Sequence, residues 1–177
     1  IFFLCGMQKN PYTRAVAVGL FSFISLTTVA ADLLSKAVFF DRFLLDSLPR
    51  FSWFGGRIQH YLHANLGATF NAPIPLPLII LAALVFCGWL LSFVFTNASH
   101  WKHPALLIGG GLVFGGAIGN LYDRVLLGFV RDWMLFWHRT VANVADFAIL
   151  IGFIILLGLS LQIPSRQRSG SMPRGKA

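Results

Sequence analysis

Residues 76–95 read LPLIILAALVFCGWLLSFVF, a run of twenty residues without one charged side chain. A run of this length and composition is long enough to cross the hydrocarbon core of a bilayer as a helix. Proline is tolerated at or before the first helical turn but not in a helix interior, so Pro73, Pro75 and Pro77 indicate where this helix begins. The stretch predicts a membrane-spanning helix.

Three further apolar runs have the same character, at residues 15–34, 104–121 and 144–162. The first ends in TVAAD and resembles a cleavable signal peptide, but it is longer than the apolar part of such peptides, so we interpret it as an uncleaved span. The composition agrees, because 56% of the residues are hydrophobic and 11% are charged, too apolar for a soluble domain. We predict an all-α integral membrane protein with four transmembrane helices.

The connections between the spans are not simple linkers. Residues 57–70 alternate weakly between polar and apolar, which predicts short strands and hence a small β-rich surface segment between the first two helices. Residues 125–141 are rich in aromatic side chains, as in segments at a membrane interface. The predicted organisation is an N-terminal cytoplasmic segment at 1–13, a four-helix membrane domain at 14–162 and a basic, disordered cytoplasmic tail at 163–177. We expect the natural start at Met7 rather than Ile1.

The net charge of +8 comes from fourteen Lys and Arg against six acids, all of them Asp. The basic residues flank apolar runs, which favours anionic membrane lipids as partners and argues against nucleic acid. Four basic residues cluster in the last twelve positions, so we place both termini in the cytoplasm. The two cysteines, Cys5 and Cys87, form no disulfide framework.

Four of the acids, Asp32, Asp123, Asp132 and Asp146, lie at or near span ends that face the same side of the membrane. A carboxylate there is costly unless it is paired, hydrated or protonated. Each acid alone is explained by a helix cap or an ion pair, whereas four together favour a site. Two close carboxylates can share a proton and activate water. His and Cys are scattered without metal-ligand spacing, so no metal or other cofactor is predicted.

Glycine repeats every four residues in the third span, at Gly111, Gly115 and Gly119. Small residues at this spacing allow close helix packing in lipid. The span also holds Gly109, Gly110 and Gly116, and we expect its glycines to bring the end of the third helix close to the fourth.

Five sequence blocks resemble the signal peptidase II family of prolipoprotein signal peptidases. They are DLLSK at 32–36, NLGATF at 65–70, GGAIGNLYDR at 115–124, GFVRDW at 128–133 and NVAD at 143–146. The resemblance implies a membrane aspartyl endopeptidase that cleaves lipid-modified prolipoproteins on the amino side of the diacylglyceryl-modified Cys. It implies a monomer in the bacterial cytoplasmic (inner) membrane, with the active site near the outer face.

By the same resemblance, the catalytic pair is Asp132 and Asp146. Asp123 is expected in a structural ion pair with the adjacent Arg124 rather than as the base. The supporting and substrate-binding positions that match the family are Asp32, Lys36, Asn65, Gly67, Asn120, Asp123, Arg124, Asn143 and Ala145.

Four features depart from the family pattern. Arg131 stands where an apolar residue is usual, Trp133 stands where Phe is usual, Asn71 stands where Ser is common, and the interval from Asp132 to Asp146 is short. We expect Arg131 to lower the pKa of the pair, and the short interval to reshape the substrate opening. Two alternatives stay open: a catalytically divergent homologue that binds lipoproteins, and a small proton-coupled membrane carrier.

Overall fold

The structure is a computed structural model that describes residues 11–42, 51–67, 74–96 and 103–162. The predicted start at Met7, most of the segment 1–13 and the tail 163–177 lie outside these residues. So does most of the stretch 96–103, which the sequence predicts to be a polar turn.

Four helices are long and apolar enough to cross a membrane, as predicted. They are α1 (Pro11–Lys36), α2 (Leu76–Thr96), α3 (Pro104–Leu127) and α4 (Val144–Gln162), and α1 continues into a π-helical turn at Ala37–Asp41. The predicted end of α3 at residue 121 was wrong. The helix continues to Gly128, whose left-handed backbone (φ 81°) ends it, with the Gly128 N–H donating to the carbonyl oxygen of Arg124.

A four-stranded antiparallel sheet lies at one end of the helices. Its strands are β1 (Ser52–Trp53), β2 (Ile58–Asn65), β3 (Val130–Phe136) and β4 (Thr140–Ala142), in the order β1-β2-β3-β4. The first two confirm the β-rich segment predicted between α1 and α2. The other two come from the connection between α3 and α4, which the sequence had indicated only as an interfacial segment. The sheet therefore joins the two connections.

Helix α3 packs between α1 and α4, and its glycines allow both contacts. A Cβ atom at Gly115 would lie 2.7 Å from the carbonyl oxygen of Ser25 in α1, and one at Gly119 would lie 2.5 Å from the carboxylate of Asp32. The Gly111, Gly115 and Gly119 face thus packs on α1. The expectation that glycines bring α3 close to α4 is confirmed, but at another position. Gly116 makes that contact, because a Cβ there would lie 2.6 Å from the carbonyl oxygen of Ala145.

The end of α1 and its π-helical turn pack against the sheet through aromatic side chains. Trp133 of β3 is buried and stacks on Phe39, with ring centroids 4.3 Å apart. Its indole N–H donates to the hydroxyl of Ser35 at 3.3 Å. The packing places the end of α1, the start of α4 and strand β3 around one buried polar region.

Candidate active site

Five of the six acids of the chain lie in this polar region, and the sixth, Asp46, is outside the described residues. Each comes from a different part of the fold: α1, its π-helical turn, α3, β3 and α4. The four acids that were predicted to gather are together in the structure, and a fifth joins them. The four are Asp32, Asp123, Asp132 and Asp146, and the fifth is Asp41.

Lys36 is the buried cation at the centre of the region. Its side chain has no exposed surface, and its ammonium group meets three acceptors. These are the carboxylates of Asp32 at 2.6 Å and Asp123 at 3.1 Å, and the side-chain oxygen of Asn120 at 3.1 Å. Three acceptors match the three N–H groups of an ammonium. A buried charge is tolerable when it is paired and hydrogen-bonded in this way.

Asp32 connects α1 to the start of α4. One carboxylate oxygen binds Lys36, and the other accepts the backbone N–H of Ala145 at 2.9 Å. The first N–H groups of a helix have no partner within the helix, so Asp32 caps α4 from another element. Ala145 was predicted as a supporting position, and it acts through its backbone N–H rather than through its apolar side chain.

Asp123 makes the structural ion pair that was expected, but with other partners. Arg124, its neighbour in sequence, was the wrong partner. Asp123 accepts hydrogen bonds from Arg131 through Nε at 3.2 Å, Nη2 at 2.7 Å and the backbone N–H at 3.0 Å, in addition to the contact with Lys36. Arg131 also donates to Asp41 at 2.6 Å. Sequence reasoning did not find Asp41, because no local pattern links positions 41 and 131.

Arg124 instead holds the chain that follows β2. Its guanidinium donates to the carbonyl oxygens of Gly67 and Asn120, both at 3.3 Å. The N–H of Gly67 donates to the side-chain oxygen of Asn65 at 3.1 Å. This contact fixes the orientation of the Asn65 amide, so that its NH2 group faces Asp132.

Asn143 touches both carboxylates of the predicted catalytic pair. Its side-chain NH2 donates to Asp132 at 2.6 Å and to the side-chain oxygen of Asn120 at 3.1 Å. Its backbone N–H donates to Asp146 at 3.1 Å. The same residue is the N-cap of α4, because its side-chain oxygen accepts the N–H of Asp146 at 3.1 Å.

Every carboxylate oxygen of the pair accepts a hydrogen bond. The second oxygen of Asp132 accepts from Asn65 at 3.2 Å, and the second oxygen of Asp146 accepts from Asn120 at 2.9 Å. The amides of Asn65, Asn120 and Asn143 thus fix the orientation of both carboxyl groups.

Burial and the nearby charge of Asp146 raise the pKa of Asp132 from 3.8 to about 7, against smaller lowering effects of Asn65, Asn143 and Lys36. Arg131 was expected to lower the pKa of the pair. Its side chain instead lies on Asp123 and Asp41, because consecutive residues of a strand point to opposite faces. Asp132 can therefore carry a proton near neutral pH, which suits a group that donates a hydrogen bond to a carbonyl.

The structure brings all eleven predicted site positions into this one region. Among the residues it describes, no three His, Cys, Asp or Glu side chains are placed to hold a metal ion.

The fold and the site define a multi-pass membrane protein with a carboxylate pair, Asp132 buried and Asp146 partly buried, where four helices meet a small sheet. Residues 24–162 match the family described as signal peptidase (SPase) II. The match covers most of the chain, so the chain belongs to that family of peptidases and is a multi-pass bacterial membrane protein.

Relatives and solved structures agree with this assignment. Lipoprotein signal peptidase of Sulfurihydrogenibium sp. is 31% identical over 78% of this chain and 88% of its own length. That of Chlorobium luteolum is 34% identical over 78% and 89%. That of Dichelobacter nodosus is 40% identical, but over only 39% of this chain and 46% of its own length. A solved bacterial membrane enzyme, 21% identical, covers 88% of this chain and 96% of its own with a TM-score of 0.73, which is a likeness of fold.

Proposed function

We propose that this protein is a membrane aspartyl endopeptidase that removes the signal peptide from diacylglyceryl-modified prolipoproteins. Cleavage falls on the amino side of the lipidated Cys. The observation that carries the proposal is that Asn143 contacts Asp132 and Asp146 at once, while Asn65 and Asn120 occupy their remaining oxygens. The relatives named lipoprotein signal peptidase support the choice of substrate.

Asp146 acts as the base and Asp132 as the acid in this proposal. Asp146 lies in the first turn of α4, and its carboxylate accepts hydrogen bonds from the Asn143 N–H and the Asn120 amide, which aim it for this role. It removes a proton from water while the water oxygen bonds to the scissile carbonyl carbon, and Asp132 gives its proton to the carbonyl oxygen. Collapse of the tetrahedral intermediate then breaks the C–N bond. The departing nitrogen takes the proton held by Asp146, and the intermediate's hydroxyl returns a proton to Asp132.

An apolar surface of the protein beside the site explains why the substrate carries a lipid. Exposed apolar side chains flank the site on two helices, Leu34 and Val38 on the α1 side and Val125 and Leu126 on the α3 side. Acyl chains bind such surfaces without a desolvation cost, while the peptide bond reaches the carboxylates at the interface. In this arrangement the exposed rings of Trp53 and Tyr61 lie over the substrate, and membrane lipids surround the helices.

The orientation follows from the charge pattern of the chain. We place both termini in the cytoplasm and the carboxylate pair near the outer face of the inner membrane, with residues 14–162 as a monomeric peptidase domain. A cysteine introduced at Ser169 should be shielded from impermeant thiol reagents in intact cells. Its labelling from outside would invert this orientation.

The carrier alternative predicts acids in the middle of a span, along an ion path. The five described acids lie in the end turns of the spanning helices or in the turn and strand that follow them, and none lies in the middle of a span. The alternative of a catalytically divergent homologue is tested by measuring whether the protein cleaves the lipid-modified precursor.

The deciding experiment incubates the purified protein in detergent with a lipid-modified prolipoprotein and follows the shortening of the precursor by gel shift. The same precursor without its lipid is the matched control. Cleavage of the lipidated form only, with EDTA present, is the expected result. No cleavage of either form would reject the proposed function, and activity lost in EDTA and restored by a divalent ion would reject the proton-sharing mechanism.

A further inference from the structure

Arg131 is a buried cation that the proposed chemistry does not use. It immediately precedes Asp132 in β3, and its side chain is only 9% exposed. An apolar residue would be easier to bury at this position, because a buried guanidinium costs free energy unless its N–H groups are bonded. We therefore asked what this charge does for the carboxylate pair beside it.

The guanidinium binds two carboxylates that differ in exposure. Asp123 has no exposed surface and accepts from both Nε and Nη2 of Arg131, the shorter contact being 2.7 Å. Asp41 is 45% exposed and accepts from Nη1 at 2.6 Å. Contacts in the dry region are weakly screened, whereas the contact with Asp41 is screened by solvent. The important partner is therefore Asp123.

A continuous set of contacts leads from Asp123 to the proposed base. Asp123 lies 3.1 Å from the ammonium of Lys36, which in turn donates to the side-chain oxygen of Asn120 at 3.1 Å. The NH2 group of the same Asn120 amide donates to Asp146 at 2.9 Å. The position of Lys36 thus determines how the Asn120 amide is presented to Asp146.

We propose that Arg131 is a positioning residue for the peptidase reaction: as the second cation on Asp123 it leaves Lys36 bound to Asn120, and so sets the pH range in which the carboxylate pair works. The inference rests on the proposed function. Without Arg131, Lys36 alone would balance two fully buried carboxylates, Asp32 and Asp123. It would then move toward Asp123 and away from Asn120.

The sign of the effect follows from charge. Burial acts to lower the pKa of Arg131, but the hydrogen bonds and charge of Asp123 and the charge of Asp41 outweigh it and raise that pKa, so Arg131 stays positive throughout the working pH range. Removing it leaves one more uncompensated negative charge near the pair. An added negative charge makes carboxyl groups hold their protons to higher pH. The working range should move to higher pH when Arg131 is neutralised.

The titratable and charged groups around Arg131 and the pair come from every neighbouring element. They are Asp32 and Lys36 of α1, Asp41 of its π-helical turn, Asp123 and Arg124 of α3, Asp146 of α4 and His63 of β2, which is opposite Asp132 in the sheet register.

The test measures kcat/KM against pH for the wild type, Arg131→Gln, Arg131→Lys and Asp41→Asn, each purified as the full chain. Arg131→Gln should move the alkaline limb upward by about one pH unit and lower the maximal rate about tenfold. Arg131→Lys restores the charge and should return the profile to that of the wild type. Asp41→Asn removes only the solvent-exposed contact and should leave the profile within about 0.2 units of the wild type.

A merely structural role would lower the melting temperature of Arg131→Gln and leave its pH profile unmoved, and that result overturns the inference. If Arg131→Gln does not fold, a wild-type profile in Arg131→Met, whose uncharged apolar side chain is easier to bury, overturns it equally. A wild type that does not cleave the lipidated precursor at any pH rejects the proposed function instead, so the two failures are distinguishable.

Discussion

Asn143 and Asp146 hold each other at the start of α4 through two reciprocal hydrogen bonds. The side-chain oxygen of Asn143 accepts the backbone N–H of Asp146, and the carboxylate of Asp146 accepts the backbone N–H of Asn143, both at 3.1 Å. This is a capping box, in which two residues three apart satisfy N–H groups that the helix leaves free. The carboxylate that we assign as the base is thus oriented by the same local geometry that begins the helix.

Asp132→Asn and Asp146→Asn should each abolish cleavage of the lipidated precursor, by more than about 1,000-fold. An amide can neither take a proton from water nor share one with the other carboxyl group. Gel filtration and thermal melting should show a folded protein in both cases. Near-normal turnover by either folded variant would show that the pair is misassigned.

The raised pKa of Asp132 predicts a pH-dependent stability. The folded protein holds this proton up to a pH of about 7, whereas the unfolded chain releases it near 3.8, so the favourable contribution is complete below pH 3.8 and is lost as the pH rises toward 7. At pH 8 the ionised, buried Asp132 costs on the order of 4 kcal/mol. The melting temperature of Asp132→Asn relative to the wild type should therefore be higher at pH 8 than at pH 5. A difference that does not change with pH would show that Asp132 is ionised in the fold at both values.

Gly116→Ala should both destabilise the protein and impair cleavage. The added Cβ would lie 2.6 Å from the backbone oxygen of Ala145, which cannot move without displacing the first turn of α4 and with it Asp146. Overpacking of this kind costs about 1–3 kcal/mol. Gly158→Ala is the matched control, because nothing lies within 4 Å of its added Cβ, and it should melt like the wild type. Equal melting temperatures and equal rates for the two variants would contradict the close packing of α3 on α4.

Lys36→Met should lower the free energy of unfolding strongly. It leaves Asp32 without a cation and Asp123 with Arg131 alone, and breaking a buried ion pair costs about 3–5 kcal/mol. Arg57→Met removes an exposed charge and should change stability by less than about 0.5 kcal/mol. Chemical denaturation of both variants in the same detergent compares them directly. Similar midpoints would mean that the contacts of Lys36 with Asp32 and Asp123 add little to stability.

The helices could be predicted from sequence because hydropathy is a local signal. The run at 76–95 is apolar throughout, and α2 covers Leu76–Thr96. The sheet could be predicted only in part. Strand β3, VRDWMLF, is largely buried although it carries two charges, so it lacks the polar and apolar alternation that indicates a strand exposed on one face. Its pairing with β2 joins residues about seventy positions apart, which no local pattern encodes.

The sequence predicted which residues belong to the candidate site, but not which of them contact each other. The motif resemblance located the Asp and Asn positions, and the structure brings them together. The expected pair of Asp123 with Arg124 failed because neighbouring residues of a helix point in different directions. The partner of Asp123 across the fold, Arg131, belongs to a strand whose position depends on tertiary packing with the end of α1.

Asn143→Asp tests whether Asn143 acts beyond its role as a cap. The structure gives it both roles, since its oxygen caps α4 while its NH2 group donates to Asp132 at 2.6 Å. Aspartate is as good an N-cap as asparagine, so the capping role alone predicts unchanged turnover. The second role predicts a loss of more than about 100-fold, because a carboxylate oxygen would replace the donor and add a negative charge beside the pair.

Asn143→Ser separates charge from hydrogen bonding, because serine also caps a helix but has no NH2 group to offer Asp132 and adds no charge. We expect its turnover to fall between those of the wild type and Asn143→Asp, with a smaller displacement of the pH profile. Kinetics on the lipidated precursor, with melting curves for both variants, give the comparison. Wild-type turnover and wild-type melting in Asn143→Asp would return this residue to the role of a simple cap, and Asn120 and Asn65 would then be the side chains that orient the pair.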